Sequence, residues 1–204
     1  MFELHAYIEI LTAGFLLLIA ERSKYFYRIG QEREFFYMSI GFYACMFFKI
    51  YHAISSIGKT DNWLVFTWSI GQLCLMATFF FITFTPRPIG YIRIWIFIFL
   101  SIMLGSSFID ADMIVNQTIT RPFDLLICLL WVMILGIWVK HKKGSSKFKY
   151  AIESTILIHI IAAGIICISD PYDVIFFIGH MLNLLSLIPI LYYFNAHTPK
   201  LMRR

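Results

Sequence analysis

His5 and Glu9 stand four residues apart in HAYIEILTAGFLLLIA, at the head of an otherwise apolar run. On an α-helix that spacing puts both side chains on one face, so an imidazole and a carboxylate can be presented to the same point. His52, His159 and His180 lie in three other apolar runs. Neutral imidazoles and a carboxylate are suitable ligands for zinc or iron. Two imidazoles on facing helices at one depth can instead hold a b-type haem. His159 and His180 form that pair here, His52 can replace either, and Gly164 and Gly179 leave room for a flat macrocycle. A third chemistry is hydrolysis, with a metal-activated water attacking a lipid amide or ester. The compact H-E-x-x-H spacing that would mark a familiar zinc site is absent from the sequence.

The elements that must position these residues are membrane helices. Of 204 residues, 60% are apolar, 18% aromatic and only 14% charged, and the mean hydropathy is +0.77. A soluble domain does not have this composition. Crossing the hydrocarbon takes about 20 mainly apolar residues, and the chain has such stretches near 4 to 21, 35 to 56, 62 to 85, 91 to 110, 123 to 139, 151 to 169 and 172 to 194. The linkers are short and carry breakers such as Arg28-Ile29-Gly30, Thr85-Pro86-Arg87-Pro88, Gly144-Ser145-Ser146 and Asp170-Pro171. The expected architecture is all-α: a seven-transmembrane helix bundle forming one multi-pass domain over residues 1–204 in the cell membrane. No cleavable leader and no soluble output domain are expected.

Arg22, Lys24, Arg28 and Arg33 fall in the first expected loop, Arg87 and Arg93 in the third, and Lys140, Lys142, Lys143, Lys147 and Lys149 in the fifth. With Lys200, Arg203 and Arg204 of the tail, these are all but three of the 17 basic residues. The alternate loops hold Lys59 and Arg121 among several aspartates. The positive-inside rule then places the N-terminus outside and the C-terminus in the cytoplasm. The net charge of +5 reads as a cytoplasmic fringe drawn to anionic lipid, and nucleic-acid binding is not expected.

At about 1.5 Å of rise per residue, Glu9, His52, His159 and His180 all fall in the outer half of their spans. Polar side chains often serve as interhelical hydrogen-bonding groups, and that reading suffices for Ser69, Gln72 and Asn183. An ionisable group in lipid costs about 2.5 to 3.5 kcal/mol on insertion scales, so four at one depth point to a shared pocket. His5 is secondary to those four, because the helix can begin below it. His141 and His197 lie among cytoplasmic basic residues and read as solvated. Trp63, Trp95 and Trp138 fit an interfacial belt, and the four cysteines read as small buried apolar residues. Asn116-Gln117-Thr118 is a glycosylation sequon on the outer side.

His5-x-x-x-Glu9, a basic loop containing Phe26, Ser39-Ile40-Gly41-Phe42 and an outward helix ending Tyr51-His52-Ala53 together resemble a bacterial and archaeal membrane-associated sensor domain of the MASE group. The likeness covers about the first 80 residues. It implies an integral-membrane module that senses a small or lipid-soluble cue, with His5, Glu9 and His52 matching the pattern. Such domains are usually joined to a signalling output, so the resemblance implies a separate signalling or redox partner here. The chain is also similar to the alkaline ceramidase and adiponectin-receptor superfamily in helix number and membrane histidines. It departs from their closing His-x-x-x-His pair, because Leu184 follows His180 at that spacing. No lysine stands in the seventh span to form a retinal Schiff base.

Overall fold

A two-residue turn joins two long helices at the start of the chain, α1 (Phe2–Gly30) and α2 (Arg33–Gly58). The computed structural model describes residues 2–58, 71–72, 74–79, 82, 120–141, 146–169 and 173–201. After α2, residues 71–72, 74–79 and 82 are helical. They are followed by α3 (Thr120–His141), α4 (Ser146–Ile168), α5 (Val174–Leu185) and α6 (Ile188–Leu201). Among the described residues there is no strand.

Helix α1 outruns its expected span. It continues through Arg22, Lys24 and Arg28, which the sequence assigns to a loop, for 29 residues in all, or about 44 Å. Leaving the hydrocarbon does not end a helix: arginine, lysine and glutamate are good helix formers in water, and Lys24 pairs with Glu21 at 3.7 Å one turn away. Nor does Gly30 make the turn. Gln31 adopts the left-handed conformation, φ 57, and its N–H donates to the Tyr27 carbonyl at 2.7 Å, closing the helix as a glycine would.

The last expected span is two helices. Ser186 and Leu187 interrupt it, with the Ser186 hydroxyl donating to the Asn183 carbonyl at 2.6 Å. Pro189 supplies the cause: it has no N–H to continue the ladder and is suited to a helix's first turn.

Helix α1 packs along α2 and also touches α5 and α6, while α4 packs against α3, α5 and α6. Aromatic contacts show the directions. Phe26 near the end of α1 lies 5.3 Å from Phe35 at the start of α2 and 5.0 Å from Phe194 of α6. Phe35 lies 5.7 Å from Phe148 at the start of α4. Thus α1 and the α5–α6 pair run one way, α2 and α4 the other. Trp138, expected in an interfacial belt, is instead fully buried, with its ring 6.4 Å from that of Phe148. The helix end turns it inward onto this aromatic cluster.

Many large apolar side chains lie on the outer surface of the described helices. On α1, Leu4, Ile10, Leu11, Leu17 and Leu18 are exposed, whereas His5, Glu9, Thr12 and Ser23 are buried. A helix apolar on its exposed face with polar groups turned inward suits lipid. Leu4–Gly30, Lys147–Ile166 and Val174–His197 are long and apolar enough to cross a membrane, and Cys128–Lys140 is a shorter apolar helix. The expected span at 91 to 110, and with it Trp63, Ser69, Trp95, Asp110 and the sequon, lies outside the described residues.

Candidate metal centre

Three helix ends build the site. The first turns of α1 carry His5 and Glu9, the last turns of antiparallel α2 carry Lys49 and His52, and the first turns of α5 carry Phe176 and His180. His5, Glu9 and His180 are each no more than 2% exposed.

Glu9 is the hub. Its Oε1 lies 2.8 Å from His180 Nδ1 and 3.7 Å from His5 Nε2. Its Oε2 lies 2.7 Å from the Lys49 ammonium. The His5 ring meets His52 edge-on at 5.1 Å and His180 at 4.5 Å. Phe176 lies 5.6 Å from the His5 ring and 4.4 Å from that of His180, so an aromatic side chain flanks both. A carboxylate this deep is retained only with compensating charge and hydrogen bonds, and Lys49 with His180 supplies both.

The donor set fits a small cation. Donors around a tetrahedral ion with bonds of about 2.0 to 2.1 Å stand roughly 3.3 Å apart. The two separations at Glu9 Oε1 fall on either side of that value, and the donor atoms of His5, Glu9 and His180 lie within 4.8 Å of one another. An ionised carboxylate only accepts hydrogen bonds, so Nδ1 of His180 donates to Glu9 in the metal-free protein, and an ion held between Oε1 and Nδ1 would take the place of that proton. The other ring nitrogen of His180, Nε2, is buried with no hydrogen-bond partner among the described residues.

His159 is held by a different set of groups. Its Nε2 lies 2.7 Å from Gln72 Oε1, and Trp131 Nε1–H donates to the same oxygen at 3.3 Å. Because an indole can only donate, the atom facing it is the amide oxygen, and His159 must donate as well. The His159 ring lies 4.4 Å from that of Trp131, and Asn183 hydrogen-bonds the same imidazole. Matching depth therefore did not bring His159 into the group around Glu9. Gly179, read as leaving space for a macrocycle, faces α4 instead. A Cβ there would stand 2.6 Å from Ile166 Cγ1 and 3.2 Å from the Ala162 carbonyl.

Sequence reasoning missed Lys49. The available signal was a lysine within an apolar run three residues before His52, since an intramembrane cation normally implies a partner. The chain matches no protein-family model, no curated protein and no solved structure.

Proposed function

We propose that this chain is a multi-pass membrane protein of seven spans, N-terminus outside, that binds zinc or iron in the outer half of its bundle in a sensory or redox role. His5, Glu9 and His180 hold the ion, and His52 lines the site beside His5. The observation that carries this reading is the convergence of two imidazoles and a carboxylate within 4.8 Å in the interior of a helical bundle with an apolar exterior. The MASE-type resemblance supports a sensory role, with a lipid-soluble cue and a separate signalling or redox partner. A b-type haem has less support, because His159 Nε2 already donates to Gln72 and Gly179 is packed on α4. A lipid hydrolase is the second reading, favoured by one observation: three protein donors leave a fourth position for a reactant.

Elemental analysis of the detergent-purified chain, with its absorption spectrum oxidised and reduced, tests the proposal. About one zinc or iron per chain, lowered in His180→Ala but kept in His159→Ala, is expected. A Soret band that disappears in His159→Ala, or no retained metal after incubation with either ion, would overturn it. Turnover of a lipid amide or ester that disappears with the metal would select the hydrolase.

A further inference from the structure

The charges around Glu9 are already balanced before any ion enters. Glu9 contributes one negative charge and Lys49, at 2.7 Å, one positive. His5, His52 and His180 ligate or line the site as neutral imidazoles. A divalent cation then leaves two uncompensated positive charges among buried side chains, which low-polarity surroundings disfavour strongly. Protein donors from His5, Glu9 and His180 also leave one position of a tetrahedral ion unfilled.

Resting on the metal reading above, we infer that the loaded centre takes a carboxylate anion as its fourth ligand, held jointly by the ion and the Lys49 ammonium. Glu9 itself displays this binding mode: one oxygen faces the imidazoles and the other faces Lys49. A second carboxylate placed the same way offsets one of the two excess charges and completes the coordination. The same headgroup chemistry occurs in a small soluble acid and at the end of a fatty acyl chain.

The full chain in detergent, loaded with cobalt(II), gives visible bands that report coordination. Acetate in solution and oleate in mixed micelles are each titrated against those bands, in the wild type and in Lys49→Met and Lys49→Arg. We expect a saturable band shift, with affinity reduced at least about tenfold in Lys49→Met, where a nearby unit charge is lost, and retained in Lys49→Arg. A shift with acetate at matching concentration identifies a soluble acid, and one confined to oleate identifies a lipid carboxylate. Cobalt bands that neither anion moves would overturn the inference while leaving the metal site standing, with His52 as the fourth ligand. Equal anion affinity in Lys49→Met would overturn it too, and Lys49→Gln serves if Lys49→Met is not recovered folded. Absence of any cobalt bands would overturn the metal reading and this inference together.

Discussion

The Lys49 ammonium lies 2.7 Å from Glu9 Oε2 inside the bundle, opposite the oxygen that accepts from His180. A resident cation therefore occupies one side of the carboxylate that the proposed ion would share. The pair holds α1 to α2 in the metal-free protein, and it weakens the pull of the carboxylate on an incoming ion.

Lys49→Met should consequently separate stability from binding. Removing one partner of a buried pair costs about 3 to 5 kcal/mol, so the metal-free variant should melt at a lower temperature. Zinc should raise its Tm by more than it raises the wild type's, because the ion then supplies the missing positive charge. Thermal denaturation in detergent with and without zinc measures both, and equal zinc increments in the two proteins would contradict the arrangement.

Gln72→Leu should destabilise without touching the metal. It leaves the Trp131 N–H and the His159 ring without their shared acceptor, and each buried orphan costs about 1 to 3 kcal/mol. Zinc stoichiometry of the purified variant should equal that of the wild type. Loss of zinc would join the two polar clusters into one site.

Much of the site was legible from spacing alone. The i, i+4 interval set His5 and Glu9 on one face, and the depth argument placed His52 and His180 near them, as the ring contacts of His5 with both now show. Depth fixes only a position along a helix, however, and not the direction in which the side chain points around it. His159 has the matching depth but turns toward Gln72 and Trp131, a contact made with residues distant in sequence that no local pattern encodes. The described helices followed from hydropathy, yet their ends did not. Hydropathy marks where lipid stops, whereas α1 stops at the left-handed Gln31. The break at Ser186–Leu187 was announced by Pro189, a signal that a sliding window over an apolar run averages away.

Gly179→Ala tests how the site depends on packing. Its Cβ would stand 2.6 Å from Ile166 Cγ1, so α5 must move away from α4, and overpacking of this kind costs about 1 to 3 kcal/mol. His180 is the next residue, and its displacement from Glu9 should weaken zinc binding as well as lower the Tm. Isothermal titration of zinc into the variant reads the second effect. Unaltered affinity would mean that the α4–α5 contact does not position His180.

The proposed ligands of the ion are His5, Glu9 and His180 together. X-ray absorption at the zinc edge of the zinc-loaded, detergent-solubilised full chain reads the ligands themselves. A first shell of nitrogen and oxygen at about 2.0 to 2.1 Å is expected, with outer-shell scattering from two imidazoles, reduced to one in His180→Ala. A sulfur shell at about 2.3 Å, a shell without imidazole, or a spectrum unchanged by His180→Ala would contradict it.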